Sequence, residues 1–555
     1  MRQNQSKQGH REMETRGQRE TFTLRVSTPL LVRFAIALFS GILMGLTVAP
    51  VNAWFLAWFA LAPLWVLIVD SAKPKVPFLP ISLAWGIGYH GLALSWITGI
   101  HPMTWMGVPW LASLAIAIFC WIFITLWGAA SVAVWATGMR IICYSIPQPY
   151  ARVLIGTALW CGVETILSWG ALFWTSISYT QSPYNLVILH LGQLSGPYAV
   201  TAAIVAVNGL IAEACLNRQD AKNAKISFAS LAPWRFVNKY LITATSLLIT
   251  LHLIGFLLYS RTLVQSPDEA LKIGIIQGNI PNQIKLYPEG LRRALEGYTT
   301  GYLSLVDQKV EAVLTPEGAL PFFESNIIHS SLVAAVRSQG VVAWIGGFGH
   351  KGKSYTNSLL TVTEDGNVFS RYDKVKLVPI GEYVPFEEIL GGIISRLSPL
   401  DEHQVAGSPN QIFHTPFGRA IASICYESAF PEVFRYQAKA GGQFILSSSN
   451  DAHYSASMPA QHHAQDIMRA IETGRWAIRA TNTGYSAFVD PHGRTKWISG
   501  HNTYEIHAET IYRRQIQTLY VRWGDWLTPL LLISAGGVWL INFLTVQLSR
   551  KQELN

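Results

Sequence analysis

Two kinds of patterning divide the chain. Apolar runs of roughly 20 residues, the length that crosses a bilayer as a helix, recur near 31–49, 52–69, 78–99, 111–137, 152–173, 197–216 and 239–259, and once more near 526–548. The stretch 260–525 has no such run and has ordinary globular composition. Its short β-type runs are Leu271–Gln277, Ala312–Leu314, Val341–Gly346, Leu359–Thr363, Ile421–Cys425, Phe444–Ser447 and Ser486–Val489. Helical stretches lie between some of them, including Glu289–Val310, Ser330–Gln339 and Pro459–Thr473. Strands alternating with helices predict a layered α/β domain. The expected plan is a basic tail at 1–30, seven transmembrane helices over 31–260, an α/β domain over 268–518, an eighth helix at 526–548 and a tail at 549–555.

Charge placement adds an orientation. Lys and Arg collect in cytoplasmic loops of membrane proteins. Arg2, Lys7, Arg11, Arg16, Arg19 and Arg25 lie in the first tail, Lys73 and Lys75 after the second run, and Arg140 and Arg152 after the fourth. Arg218, Lys222, Lys225 and Arg235 follow the sixth, and Arg550 and Lys551 end the chain. The alternate loops, 50–51, 100–110 and 174–196, hold no Lys or Arg. Both tails are therefore expected in the cytoplasm and the α/β domain on the other side. That alternation requires an odd number of helices before the domain. The basic tail leads straight into further spans, unlike a cleaved signal peptide.

Only 14% of the 555 residues are charged, against about 25% in soluble domains. The net charge of +9 sits between apolar runs and not on one soluble face, so a nucleic-acid partner is not expected. The bare loops carry Trp105, Trp110, Trp174, Tyr179 and Tyr184, either an interfacial aromatic belt or the lining of a lipid entrance. Glu164 stands inside the fifth apolar run, either as a functional charge or as a structural partner.

The five cysteines, Cys120, Cys143, Cys161, Cys215 and Cys425, form no CxxC pair, which argues against a zinc or disulfide framework. Cys425 alone lies in the polar half of the chain. It closes an apolar run, as do Glu317 and Lys374, and a strand end presents a side chain rigidly to a cleft. The set is chemically coherent. A thiol is a nucleophile once deprotonated, a carboxylate can take its proton, and an ammonium can stabilise an oxyanion. Singly, each also reads blandly, as a helix-terminal charge, a solvated cation and a buried small residue.

Thr315-Pro316-Glu317, Tyr372-Asp373-Lys374 and Cys425-Tyr426-Glu427, in that order, resemble the Glu–Lys–Cys triad of the nitrilase (carbon–nitrogen hydrolase) superfamily. Three further blocks narrow the likeness: Gln277-Gly278-Asn279-Ile280-Pro281, Lys376 through Gly381-Glu382 to Phe386, and Asn450-Asp451 through Gln461-His462, Arg469, Glu472 and Arg475 to Arg479-Ala480-Thr481-Asn482-Thr483-Gly484. Together they resemble the apolipoprotein N-acyltransferase family over nearly the whole chain.

The resemblance implies an α-β-β-α sandwich beside a helical bundle in a bacterial cytoplasmic (inner) membrane, with the sandwich periplasmic. It implies that Cys425 takes the sn-1 acyl chain of a phospholipid such as phosphatidylethanolamine. The resulting thioester passes the chain to the α-amine of a diacylglyceryl-cysteine at an apolipoprotein N-terminus. Glu317 would be the base, Lys374 and the Tyr426 N–H the oxyanion donors, and Glu382 and Glu427 supporting acids.

The chain departs from the family pattern where Leu286 and Tyr287 follow Lys285 in place of Trp, at His453-Tyr454-Ser455 in place of Trp-Phe-Gly, and at Ile380 in place of Phe. These departures bear on lipid preference more than on reaction type. No carboxylate or cysteine stands at ligand spacing from His453, His462 or His463, so no metal is expected, and no other cofactor. The competing readings are a membrane-anchored amidase with water as acceptor and a non-catalytic lipid-binding scaffold. The segments 320–328 and 386–403 are expected to act as lids.

Overall fold

The computed structural model describes residues 29–70, 77–143, 146–223, 238–379, 381–383 and 404–554. The basic tail before Pro29, Lys73, Lys75, Lys225, Ile380 and the expected lid at 386–403 lie outside the described residues.

Helices α1 (Leu30–Gly45), α2 (Ala62–Asp70), α3 (Leu79–Ala93), α4 (Trp110–Cys143), α5 (Pro149–Trp169), α6 (Pro197–Asn223) and α7 (Lys239–Tyr259) precede the sheets. Another helix follows the sheets at Leu527–Leu554. Among the described residues, five helices are long and apolar enough to cross a bilayer: 110–142, 149–169, 197–217, 239–259 and 527–548. The first three expected spans are built differently. α1 has 16 residues and stops before Pro50, which lacks the N–H a helix needs. The second is a 3₁₀ turn, Trp54–Trp58, followed by the nine residues of α2. α3 has 15 residues and gives way to a 3₁₀ stretch at Ser95–Ile100.

Asn208 on α6 repairs the broken second span. Its side-chain oxygen accepts from the N–H groups of Leu61 (2.9 Å) and Ala62 (3.0 Å), and its amide donates to Ala57 O at 2.8 Å. The most apolar window of α6 is 78% buried, against 17% for α7 and 6% for the last helix. α6 is therefore the centre of the bundle, and the others present apolar flanks outward, as lipid-facing helices do.

Glu164 on α5 is a structural partner. Its carboxylate accepts from Trp160 Nε1, Ser176 Oγ, Ile177 N and Thr201 Oγ1 at 2.8–3.1 Å. It thereby holds the segment after α5 against α6.

Between α7 and the last helix lie two six-stranded sheets. The first contains β1 (Ala270–Gln277), β2 (Ala312–Leu314), β3 (Val342–Lys351), β4 (Ser354–Val362), β5 (Val368–Asp373) and β12 (Glu505–Tyr512), in the order β12-β1-β2-β3-β4-β5. The second contains β6 (Phe413–Thr415), β7 (Gly418–Ile424), β8 (Ile445–Ser449), β9 (Ala477–Thr481), β10 (Ala487–Val489) and β11 (Thr495–Ile498), in the order β11-β10-β9-β8-β7-β6. In each sheet the central strands are parallel: β1 with β2, β2 with β3, β7 with β8, and β8 with β9.

The sheets pack face to face through Ile273, Leu314 and Trp344 on one side and Ala422, Ile424, Leu446 and Ile478 on the other. α8 (Pro288–Val306) and α9 (Ser331–Gln339) cover the outer face of the first sheet through Tyr302, Leu305, Val333 and Val336. α10 (Pro431–Lys439) and α11 (Ser457–Thr473) cover the second. This is the α-β-β-α sandwich.

Ile421, Ile445, Phe434 and Ile471 share one apolar core with Leu189, Leu191 and Ala199 of the bundle. The helix layer of the second sheet is therefore seated directly on the membrane helices. The segment 320–328 is pinned and does not have a lid's freedom. Leu320 N donates to Gly346 O at 3.0 Å, Phe348 N donates to Phe322 O at 2.9 Å, and Leu320 and Ile327 are buried.

Candidate active site

Parallel strands present their carboxyl ends on one edge, where α/β folds bind ligands. Glu317 follows β2, Lys374 follows β5 and Cys425 follows β7. The structure brings the three together although they are far apart in sequence. The end of β2 is locked first. Thr315 Oγ1 donates to Trp344 O and accepts from Gly346 N, each at 3.1 Å. Gly346 is required there, because a Cβ would lie 2.0 Å from Pro316 O.

Glu317, Lys374 and Cys425 are 8%, 1% and 6% exposed, so their charges need partners inside the protein. Lys374 Nζ donates to Glu317 Oε1 at 3.0 Å and to Glu382 Oε1 at 2.7 Å. Glu317 also accepts from Asn357 Nδ2 at 2.7 Å and from Asn450 N at 2.9 Å. Burial pushes the Glu317 carboxyl up, but Lys374, Lys285 and Asn357 outweigh it and hold it below its ordinary value. Burial opposes the charge on Lys374, but Glu317, Glu382 and Cys425 raise its amine well above the ordinary lysine range. Burial and the Glu317 charge push the Cys425 thiol well up, against the pull of Lys374. The resting site thus holds a carboxylate, an ammonium and a protonated thiol. Such a thiol becomes a nucleophile only by giving its proton to a base as it attacks.

Cys425 has φ +51°, a left-handed conformation that costs a non-glycine residue about 1–2 kcal/mol. Two clamps hold the turn. Glu427, fully buried, accepts from Ile424 N (2.6 Å), Val375 N (2.6 Å), Lys376 N (3.2 Å) and the Tyr372 hydroxyl (3.1 Å). It therefore ties the strand that leads to Cys425 to the loop that carries Lys374. Burial raises its carboxyl to about 7, against those donors. From the other side, His462 on α11 bridges Cys425 O at 2.7 Å and Asp451 Oδ1 at 3.1 Å. Arg479 pairs with both Asp451 (2.9 Å) and Asp466 (2.7 Å).

Tyr426 reaches the bundle. Its hydroxyl donates to Ala171 O at 2.7 Å and accepts from Phe173 N at 3.2 Å. Its ring stacks on Trp174 with 5.9 Å between centroids. Trp174 Nε1 in turn donates to Gln461 Oε1 of α11 at 2.8 Å. Tyr179 donates to Ala429 O at 2.9 Å. A Cβ on Gly99 would lie 2.4 Å from Ser455 N, so the bundle and the loop after β8 touch through backbone. Trp174 and Tyr179 are therefore buried at this junction, whereas Trp110 and Tyr184 are exposed as belt residues are.

One sequence inference needs correction. Cys425, Asp451 and His462 place possible metal-ligand atoms within 4.8 Å of one another, although no spacing shows it. The His462 and Asp451 atoms are already committed. Both His462 nitrogens meet oxygens, and Asp451 also pairs with Arg479.

The family model "Carbon-nitrogen hydrolase" matches residues 273–519, and "Apolipoprotein N-acyltransferase N-terminal domain" matches 40–210. A protein of Nostoc sp. (strain PCC 7120) named apolipoprotein N-acyltransferase is 66% identical over 502 residues, covering 90% of this chain and 97% of its own. The chain belongs to the apolipoprotein N-acyltransferase family. A Synechocystis sp. relative of the same name is 47% identical, covering 90% of this chain and 98% of its own. A Thermosynechococcus vestitus relative is 41% identical, covering 88% and 91%.

Within this family frame, Asn357 is the site residue that sequence reading missed. It sits in the middle of β4, and nothing in Tyr355-Thr356-Asn357-Ser358 marks it except a polar residue on a buried strand. Asp451, His462 and Arg479 belonged to a recognised motif but had no role until the structure joined them.

Proposed function

We propose that the protein transfers a fatty acyl group from the sn-1 position of a membrane phospholipid, phosphatidylethanolamine in the first instance, to the α-amine of diacylglyceryl-cysteine at an apolipoprotein N-terminus. The observation that carries this reading is that Cys425 closes β7 in a turn hydrogen-bonded to the membrane bundle, with the buried Lys374–Glu317 ion pair in the same site.

In the first half-reaction the Cys425 sulfur attacks the ester carbonyl as Glu317 takes the thiol proton. The tetrahedral oxyanion is held by Lys374 and by the N–H of Tyr426, which lies at the start of a 3₁₀ turn where backbone donors lack intrahelical partners. Collapse breaks the ester bond, and Glu317 returns the proton to the departing lysophospholipid oxygen. In the second half-reaction the neutral α-amine attacks the thioester, Glu317 accepts a proton from nitrogen, and the sulfur leaves and is reprotonated. Glu382 keeps Lys374 in place, and Glu427 holds the loops of Lys374 and Cys425 at fixed separation.

The alternation of basic and bare loops supports a bacterial inner-membrane location with both tails cytoplasmic and the domain at 268–518 periplasmic. Both reactants are lipids, and a turn anchored to the bundle keeps the thiol near their carbonyl depth.

The test uses the detergent-purified chain, phosphatidylethanolamine labelled in its sn-1 chain, and a diacylglyceryl-cysteine peptide with a free or an acetylated amine. Only the free amine should gain label, with one lysophospholipid released per acyl group transferred. Labelled free fatty acid with both peptides unmodified would instead establish a hydrolase.

A further inference from the structure

Lys285 helps keep Glu317 ionised but takes part in no step of the proposed reaction. Lys285 closes the short turn Asn282–Lys285 and donates to the backbone oxygen of Glu317 at 3.1 Å. Among the described residues it forms no ion pair. It keeps part of its surface accessible, yet burial lowers its amine to about 8 against the pull of Glu317 and Cys425. Its amine is crowded by the protein but not sealed off from solvent.

Asn282, at the start of the same turn, is 6% exposed. Its oxygen is occupied by Asn450 Nδ2 at 3.3 Å, while its own Nδ2 has no hydrogen-bond partner. The turn therefore offers an ammonium and a buried amide donor beside Glu317, with the amide oxygen already used. Such an array suits an anion and leaves a buried donor unsatisfied without one.

The neighbouring wall is interfacial. His453, whose imidazole burial lowers to about 4 with help from Lys285, stacks on Trp105 of the bundle at 6.0 Å. The other spare lysine, Lys376, is committed differently, with its amine 4.6 Å over the Phe430 ring.

We infer that Lys285 and Asn282 bind the phosphodiester of the lipid donor while its sn-1 ester lies at Cys425. The inference rests on the proposed reaction and extends it to donor recognition. The phosphate of a glycerophospholipid is one glycerol unit from the sn-1 ester, so it lies close by while that ester is at the thiol. The acceptor does not fit the turn. Its reacting end is an amine, cationic at rest, and its lipid carries no phosphate. Because every diacyl glycerophospholipid with an esterified head group has the phosphodiester, the contact favours phospholipids over neutral esters without selecting a head group.

The experiment compares Cys425 acylation by phosphatidylethanolamine with acylation by p-nitrophenyl palmitate, which lacks phosphate. Both are followed by intact mass on the full chain in detergent. The ratio of the two rates cancels any general loss of active protein. Lys285→Gln should lower that ratio about tenfold or more, chiefly through KM for the phospholipid. Lys285→Arg should restore most of it, and Asn282→Ala should lower it in the same direction. An unchanged ratio in Lys285→Gln and Asn282→Ala, with the wild type acylated by phosphatidylethanolamine, overturns the phosphate site and leaves the reaction standing. A wild type acylated by p-nitrophenyl palmitate but by no phospholipid overturns both.

Discussion

The Tyr426 hydroxyl donates to the Ala171 carbonyl at 2.7 Å. The residue beside Cys425 is thereby tied to the segment that leaves a membrane helix. Tyr426→Phe removes that bond and keeps the ring on Trp174, so transfer should fall by less than about tenfold. Tyr426→Ala also removes the stack and should fall further, with a lower Tm. Paired transfer rates and melts of the two variants check this. Wild-type behaviour in both would show the tie to be idle.

Glu317 is asked to move the thiol proton. Glu317→Gln keeps the shape and the donors from Asn357 but cannot accept that proton. Acyl-adduct formation should slow by about 10²–10⁴-fold, with Tm changed much less than activity because Glu382 still pairs Lys374. Rapid-quench intact mass gives the rate. A loss under about tenfold would assign the proton to another group.

The two half-reactions should part company in their pH dependence. Acylation needs the Glu317 carboxylate, held below its ordinary 4.5, so it is lost only as pH falls through that lower range. The thiol is raised well above its ordinary value and adds no step near neutrality. Transfer to peptide also needs a neutral α-amine and should climb to about pH 8. Single-turnover rates of each half-reaction across pH 4 to 9 would test the split. Identical profiles would contradict it.

Asp451 supports the turn from behind. Its carboxyl is opposed by burial but lowered to about 2 by Arg479 and His462. A depressed acid stabilises the fold above its ordinary 3.8 and loses that contribution as pH falls toward 2. Asp451→Asn leaves Arg479 with Asp466 alone, and breaking a buried pair costs about 3–5 kcal/mol. Its Tm at neutral pH should drop well below the wild type, and the gap should narrow on acidification below pH 4. Thermal inactivation measured against pH decides it.

Much of this architecture was legible in the chain. β2 falls on its expected residues because Ala312-Val313-Leu314 is a buried apolar run bounded by Thr315-Pro316. β12 escaped notice because Glu505–Tyr512 mixes charged and apolar side chains at half-buried positions, and β9 because it carries Arg479 in the interior. Hydropathy found an apolar segment for each of α1 to α7 and for the last helix, but it read the second as one helix and passed over the short helices Leu186–Leu189 and Gly192–Ser195. The Asn208 bonds that hold its two pieces come from α6, about 150 residues away, and no local pattern records them. Glu317, Lys374 and Cys425 could be singled out because each follows an apolar run within a motif that resembles the nitrilase triad. Asn357 could not, since its relevance comes only from the carboxylate opposite it.

The most direct test of the central claim is the intact mass of the purified chain after incubation with phosphatidylethanolamine, beside Cys425→Ala, followed by addition of the free-amine peptide. A Cys425 acyl-enzyme predicts a fatty-acyl increment on the wild type, none on Cys425→Ala, and discharge of that increment onto the peptide amine. An increment that persists in Cys425→Ala, or one that decays to free fatty acid while the peptide stays unmodified, would contradict it.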